Sequence, residues 1–339
     1  MNPIPKLPAP GSETGPLLEV TDLKTYFLTK RAVVRAVDDI SFTVAPGQIV
    51  SLVGESGCGK SITALSVMGL VPKPAGKVVA GTIRFAGTDL LGLTPEQMTD
   101  LRGNQISMIF QEPMTCLNPV LTIGKQLTEV LRRHRRISRA AALKKAIGML
   151  EVMGVPRAGE LVHDYPHQLS GGLRQRVMIA MAMLCQPRLL IADEPTTALD
   201  VTIQAQVLML MKQMRGEFGT AVIFITHDLG VVAEMADHVI VMYAGQIVES
   251  VDADTLFIRA LHPYTAGLMA SIPSLDLDKE TLYSIPGTVP NAAEFPPGCR
   301  FAARCERVCK DCTETDIPLE EKAPGHLVRC IRVSAAGAT

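Results

Sequence analysis

A run of small residues followed by lysine and serine could bind the phosphates of a nucleotide. The run fits the spacing G-x-x-x-x-G-K-[ST] and lies between an apolar strand and an apolar helix; its residues are Gly54, Glu55, Ser56, Gly57, Cys58, Gly59, Lys60 and Ser61. Glycines let backbone N–H groups surround phosphate oxygens at a helix N-terminus. Lys60 would neutralise the β and γ phosphates, and the Ser61 hydroxyl would bind Mg²⁺. The run therefore predicts a phosphate loop.

Two carboxylates follow a second apolar run. Leu189 to Ala192 reads as a strand and leads directly into Asp193 and Glu194. At such a position the first carboxylate can hold the magnesium shell and the second can polarise an attacking water. Solvated acids after a buried strand are common in proteins, so the two carboxylates indicate a catalytic site only in combination with the phosphate loop. Together they predict ATP hydrolysis, with Glu194 as the general base.

A third segment, Leu169 to Gln175, places Ser170, Gly171 and Gly172 at the start of a helix. Because a helix N-terminus attracts anions, this is a second phosphate-binding segment, far from the first in sequence. Two such segments suggest that two copies enclose ATP between them. At this point the sequence resembles the ABC ATPases. That resemblance implies that the signature segment of one subunit completes the ATP site of its partner.

The resemblance extends to other positions of that family. Gln111, after Ile106 to Phe110, matches the Q-loop glutamine that contacts magnesium and communicates with the membrane domains. Ala198 to Asp200 matches the D-loop, and His227 matches the switch histidine that contacts the γ phosphate. The implied catalytic residues are Glu194, His227 and Lys60.

The resemblance also implies an aromatic residue stacked on adenine. Phe27 matches that position, with Tyr26 as the alternative. The predicted nucleotide-binding residues are thus Phe27 and the run from Gly54 to Ser61, extended to position 62. Leu173 departs from the glutamine often found in the signature segment, which removes one polar contact and leaves those of Ser170 and Gly172.

Two stretches resemble one branch of the family more narrowly. Gln111 to Pro119 and His262 to Thr265 resemble segments of oligopeptide, dipeptide and nickel importer ATPases. The chain is most like the first of the two paired ATPase subunits there. The resemblance implies a paralogous ATPase partner, two transmembrane permease subunits and, indirectly, an extracytoplasmic solute-binding protein. Peptides are the expected cargo, nickel is the alternative, and a soluble ABC ATPase of DNA repair or translation is the rival class.

Five of the cysteines lie between Cys299 and Cys330. In a chain without an export signal, such clustering suggests metal binding more than disulfides. It is similar to the C-terminal extension of the same importer ATPases, some of which hold a [4Fe-4S] cluster. The expected ligands are Cys299, Cys305, Cys312 and Cys330, with Cys309 as a substitute for Cys312. Zinc and metal-free thiols stay open as alternatives.

The remaining sequence indicates how these motifs are positioned. Strands alternate with helices, which predicts an α/β P-loop NTPase core with an inserted helical subdomain and a small Cys-rich C-terminal extension. The expected bounds are 1–16 for a disordered lead-in, 17–270 for the ATPase domain with its helical part at about 112–168, and 271–339 for the extension. A formal net charge of −1 argues against a nucleic-acid partner. Because the apolar runs are short, we expect a soluble or peripheral protein. The resemblance to importer ATPases implies a peripheral position on the cytoplasmic face of the inner membrane.

Overall fold

The computed structural model describes residues 15–111, 116–196, 201–272 and 283–334. The predicted D-loop, Ala198 to Asp200, lies outside these residues, as do 112–115 after Gln111 and nearly all of the expected lead-in.

The chain folds into two compact units that do not follow chain order. Of the described residues, the first unit takes in 15–17, Ala45–Gln48 and those between Gly92 and Phe224. The second takes in Leu18–Val44, Ile49–Leu91 and the chain from Ile225 onward. The phosphate loop and the Cys-rich extension therefore belong to the same unit.

The second unit contains an antiparallel sheet near its N-terminus. Its strands are β1 (Leu18–Leu28), β2 (Val33–Val44), β4 (Gly76–Phe85) and β5 (Thr88–Asp89), in the order β2-β1-β4-β5. In β1, Leu18, Val20, Leu23 and Thr25 are buried while residues between them are more exposed. This spacing places one face of the strand against the core.

A second set of strands carries the phosphate loop. These strands are β3 (Ile49–Val53), β9 (His238–Tyr243), β10 (Gln246–Asp252), β11 (Glu320–Ala323) and β12 (His326–Val328), in the order β11-β12-β10-β9-β3. Strand β3 is parallel to β9, and every residue of β3 is buried. A fully buried, mostly apolar strand of this kind is typical of a parallel sheet covered on both faces.

Helices of the second unit connect and cover these strands. They are α1 (Lys60–Val67), α8 (Leu229–Met235), α9 (Ala253–Ile258), α10 (Pro263–Ala270) and α11 (Asp311–Glu314). Helix α1 begins directly after the phosphate loop, as the sequence predicts. Asp228 is the N-cap of helix α8, and its side chain accepts hydrogen bonds from the backbone N–H groups of Gly230 and Val231. Asp at this position satisfies N–H groups that the first turn of a helix leaves without partners.

The first unit holds the other strands and the predicted helical segment. Its strands β6 (Ile106–Ile109), β7 (Leu189–Asp193) and β8 (Ala221–Ile225, of which Ile225 begins the second unit) have the order β8-β7-β6. Its helices are α2 (Pro95–Leu101), α3 (Ile123–His134), α4 (Arg139–Val152), α5 (Ala158–Leu161), α6 (Gly171–Met183) and α7 (Val201–Phe218). Helices α3 and α4 lie within the range of about 112–168 that the sequence predicts to be helical, and Thr122 and Ser138 cap them. Across the described ranges, no helix is long and apolar enough to span a bilayer.

The C-terminal extension packs into the core of the second unit. Its strand β12 pairs with β10. Its Phe301 lies 5.2 Å from the Tyr243 ring and 5.4 Å from the Tyr264 ring, centroid to centroid, and the two tyrosine rings are 4.7 Å apart. Aromatic pairs at these distances contribute about 0.5–1.5 kcal/mol each beyond the area that they bury. The extension is therefore built onto the nucleotide-binding unit through a shared apolar core.

A buried ion pair also joins the extension to β2. The Arg300 guanidinium pairs with the Asp38 carboxylate and donates to the Ala244 carbonyl at 2.5 Å. The Tyr26 hydroxyl donates to the other Asp38 oxygen at 2.5 Å. Burial opposes ionisation of Asp38, but the hydrogen bonds from Tyr26 and Arg300 outweigh it and lower its pKa. Burial and the bond to Asp38 raise the pKa of Tyr26 to about 12.

We expect Arg300→Met to lower the free energy of unfolding by about 3 kcal/mol, because it leaves the Asp38 carboxylate buried without its cation. Urea unfolding of the full chain, followed by circular dichroism, measures this change. The double variant Arg300→Met/Asp38→Asn removes both charges and keeps an acceptor for Tyr26, so it should recover most of the loss. A double variant as unstable as Arg300→Met would show that the unpaired charge is not the cause.

Candidate nucleotide-binding site

The phosphate loop has a backbone that only glycine can adopt at two positions. Gly54 has φ +143°, and a Cβ there would lie 2.2 Å from the Met242 carbonyl oxygen. Gly59 has φ +108°, and a Cβ there would lie 2.4 Å from the Ala36 carbonyl oxygen. The loop thus packs against β9 and the middle of β2 with its backbone in direct contact. This close approach is what the glycine spacing of the motif provides.

Lys60 is held inside the loop. Its side chain is buried, and its Nζ donates to the carbonyl oxygens of Gly54 at 2.6 Å and Glu55 at 3.1 Å. The Cys58 sulfur lies 3.6 Å from the same nitrogen. A buried ammonium whose partners are carbonyls of its own loop can exchange them for phosphate oxygens. The loop therefore fits a nucleoside triphosphate.

His227 lies near the end of β3, where the phosphate loop begins. The Thr226 N–H donates to the Leu52 carbonyl at 3.4 Å, and the Thr226 hydroxyl accepts from the Asp228 N–H at 3.0 Å. These bonds hold the turn that carries His227, whose side chain is exposed. The structure thus brings His227 and the phosphate loop to the same end of β3.

Glu55 connects the phosphate loop to the C-terminal part of the unit. Its backbone N–H donates to the Tyr264 hydroxyl at 2.8 Å. Its carboxylate accepts two hydrogen bonds from Arg304, at 2.6 and 2.9 Å. Burial raises the pKa of Tyr264, so its hydroxyl stays protonated. No motif in the sequence indicates a role for Arg304, and Tyr264 stands out only as part of the segment His262 to Thr265.

In the first unit, the predicted Q-loop glutamine meets one predicted catalytic residue. Strands β6 and β7 are parallel neighbours, with Ile109 opposite Ala192. Gln111 and Glu194 follow these two strands, and the Gln111 amide donates to the Glu194 carboxylate at 3.1 Å. Parallel strands end at the same edge of their sheet, which brings together side chains that are 83 residues apart. Glu194 itself has φ +47°, a strained backbone for a non-glycine residue and one that is common at functional sites.

The signature helix α6 is attached to the loop that follows Glu194. Ser170 is its N-cap, with the hydroxyl accepting from the Leu173 N–H at 3.4 Å. Gln175 is buried, and its amide donates to the Pro195 carbonyl. A Cβ at Gly172 would lie 3.4 Å from Ile203, so this face of the helix approaches α7 closely. The sequence places Gln175 at the end of the signature segment but gives no sign of its partner Pro195, which lies outside the motif.

The aromatic candidates for adenine stacking lie on β1. The Tyr26 hydroxyl is engaged with Asp38, as described above. The Phe27 ring lies beside Gly76, where a Cβ would be 3.0 Å from the ring edge.

The cysteines of the extension are neighbours. Cys309 and Cys312 bring their sulfur atoms to 3.4 Å, and the Cys299 N–H donates to the Cys312 carbonyl at 2.7 Å. Burial, with the nearby thiols of Cys312, Cys330 and Cys305, raises the pKa of Cys299 to about 11. Within the part of the chain that the structure describes, however, no group of three or more His, Cys, Asp or Glu side chains is arranged to hold a metal ion. The predicted [4Fe-4S] cluster thus has no support from this geometry.

Two family models match different parts of the chain. A family model described as ABC transporter matches residues 37–197. A second one, described as Oligopeptide/dipeptide transporter, C-terminal region, matches residues 248–312.

Individual relatives align over most of both chains. The chain is 53% identical to the oligopeptide transport ATP-binding protein AppD of Bacillus subtilis, covering 95% of this chain and 98% of the relative. It is 49% identical to the dipeptide transport ATP-binding protein DppD of Bacillus subtilis, covering 93% and 94%. It is 46% identical to the oligopeptide transport ATP-binding protein OppD of Escherichia coli, covering 96% of each.

A solved structure shares the fold. The dimeric ATP-binding cassette MJ0796, bound to ADP and phosphate, has a TM-score of 0.63 and 26% identity, covering 70% of this chain and 98% of that one. The expected α/β P-loop NTPase core is thus confirmed.

We expect Gly59→Ala to lower the free energy of unfolding by about 3 kcal/mol, because the added carbon would be forced into the Ala36 carbonyl and the backbone is left-handed. Gly57→Ala is the matched control, since Gly57 has φ +79° but no atom within 4 Å of an added Cβ. We expect it to cost about 1 kcal/mol. Thermal unfolding of the full chain compares the two, and equal losses would contradict the packing argument.

Proposed function

The chain belongs to the ATP-binding subunits of ABC transporters, in the branch of the oligopeptide and dipeptide transport ATP-binding proteins, and on this premise we propose that it hydrolyses ATP to power peptide import. The observation that carries the proposal is the extent of the similarity. It covers more than nine tenths of this chain and of each named relative and includes the C-terminal extension. The named relatives transport peptides, which favours peptides over nickel and over a soluble ATPase of DNA repair or translation.

The phosphate loop supplies the groups that bind the triphosphate. Backbone N–H groups from Gly54 to Ser61, together with the Lys60 ammonium, hold the phosphate oxygens. We assign Ser61, Asp193 and Gln111 to Mg²⁺, which would neutralise charge on the triphosphate when bound. The Phe27 ring would stack on adenine, with the Tyr26 ring as the alternative.

Glu194 would accept a proton from the attacking water. The hydrogen bond from Gln111 fixes the orientation of its carboxylate, and the Gln175 contact with Pro195 holds the next residue in place. We assign His227, with Lys60, to stabilising the transferred phosphoryl group. These roles follow the family pattern at each matching position.

The partners of this subunit are also part of the proposal. Ser170 and Gly172, at the start of α6, would complete the ATP site of a paralogous ATPase subunit. ATP binding would close the two subunits and move two permease subunits, with the chain bound peripherally at the cytoplasmic face of the membrane. A solute-binding protein outside the membrane would deliver the peptide.

We expect Glu194→Gln to bind ATP with unchanged affinity and to lose at least about 100-fold in turnover, because the amide cannot accept the proton. Phosphate release and uptake of a labelled peptide, both in vesicles with the reconstituted transporter, measure this effect. Glu160→Gln is the control, since Glu160 is an exposed residue paired with Arg157 on the surface. It should keep wild-type turnover. Full turnover by Glu194→Gln would remove Glu194 from the catalytic role.

The [4Fe-4S] cluster is a separate proposal, and it rests on the sequence. Its support is the grouping of Cys299, Cys305, Cys312 and Cys330 in one small segment, with Cys309 as the alternative to Cys312. We expect the chain purified without oxygen to contain iron and sulfide in equal amounts and to absorb visible light. Cys330→Ala should abolish both signals.

Cys185→Ala is the matched control for this experiment, because Cys185 is equally buried but follows helix α6 in the other unit. It should keep the iron. Zinc without visible absorption, or protein free of metal, would overturn the cluster.

A further inference from the structure

The C-terminal extension reaches the phosphate loop through one side chain. Arg304 donates to both carboxylate oxygens of Glu55, at 2.6 and 2.9 Å, across 249 residues of sequence. The Arg304 side chain is 4% exposed and the Glu55 side chain 29%. A forked guanidinium bound to both oxygens of a carboxylate fixes direction as well as distance. The ion pair therefore restrains the direction of the Glu55 side chain, as well as holding the phosphate loop near the C-terminal extension.

Arg304 cannot follow Glu55 if the loop moves, because its guanidinium is anchored elsewhere. Nε donates to the Pro286 carbonyl at 2.8 Å, and Nη2 donates to the Ile285 carbonyl at 3.2 Å. The guanidinium carbon also lies 5.8 Å from the centre of the Tyr243 ring. These contacts hold the cation in place before any nucleotide binds.

Glu55 is the one acidic residue in the loop that must bind a triphosphate. Its backbone carbonyl oxygen accepts from Lys60, five residues further along the chain, so this acid is in contact with the group that neutralises phosphate. An unpaired carboxylate at this position would repel the phosphates and compete for the Lys60 ammonium. Pairing with Arg304 cancels that charge.

We propose that Arg304 is a positioning residue of the ATP site, through which the C-terminal extension sets the affinity of the phosphate loop for ATP. The inference rests on the proposed function, in that it takes the loop to bind ATP. It assigns the extension a task within the ATP site that is independent of any metal in its cysteines. Tyr264, which accepts from the Glu55 backbone, supports the same loop from a neighbouring helix.

Arg329 provides a matched control within the same extension. Its guanidinium donates to the Ile247 carbonyl at 3.0 Å and the Ile317 carbonyl at 2.9 Å. Like Arg304, it ties two backbone segments together, but the partners of these bonds lie outside the phosphate loop. Arg329→Met therefore reports what loosening the extension does by itself.

The test is an equilibrium titration of the full chain with ATP, read by calorimetry, with kcat and KM for ATP measured in the assembled transporter. We expect Arg304→Met to raise the Kd for ATP about ten-fold and KM in parallel, with kcat nearly unchanged, because binding and not chemistry is affected. Arg304→Met/Glu55→Gln should return to within about two-fold of wild type, since both charges are gone. Arg304→Lys keeps the charge without the fork and should raise Kd about three-fold.

Several outcomes would overturn the inference. They are a wild-type Kd in Arg304→Met, an equal rise in Arg329→Met, or a double variant that binds no better than Arg304→Met. If Arg304→Met does not fold, the Arg304→Lys titration decides, and a wild-type Kd there rejects the role. A wild-type chain that binds no ATP would instead reject the proposed function, so the two failures are distinguishable.

Discussion

The geometry of the phosphate loop depends on two close backbone contacts. Gly54 packs against the Met242 carbonyl and Gly59 against the Ala36 carbonyl. Each contact is so close that a Cβ atom on the glycine would overlap the carbonyl oxygen. These contacts set where helix α1 begins and where the Lys60 ammonium lies. A backbone curled tightly enough to bind phosphate has little internal stability. The strands and helices around it must therefore hold its shape.

The supports of the loop come from late in the chain. Tyr264 holds the Glu55 N–H, Arg304 holds its carboxylate, and Phe301 packs against Tyr243 and Tyr264 beneath them. The same short segment sends Arg300 to the buried Asp38 carboxylate. The C-terminal extension is therefore part of the unit that carries the phosphate loop.

In the first unit, strand pairing and side-chain hydrogen bonds hold the predicted site residues in place. Parallel strands β6 and β7 end at one edge of their sheet, which brings the Gln111 amide to the Glu194 carboxylate. Gln175 then ties helix α6 to the residue after Glu194. Helix α6 and the residue that follows Glu194 are thus connected by a buried hydrogen bond.

The sequence by itself determined the phosphate loop, the carboxylates after β7, the signature helix and the family. Each of these depends on residues a few positions apart, whose spacing directly reflects local backbone geometry. Only the tertiary structure decided that Arg304 binds Glu55 and that Gln175 binds Pro195. It also showed that Tyr26 is engaged with Asp38 and that the cysteine side chains do not converge as metal ligands in the described residues. The physical reason is that a contact between residues far apart in sequence produces no local pattern in the chain. The order of the strands brings such partners together. The sequence alone therefore cannot show which carboxylate a given arginine will bind.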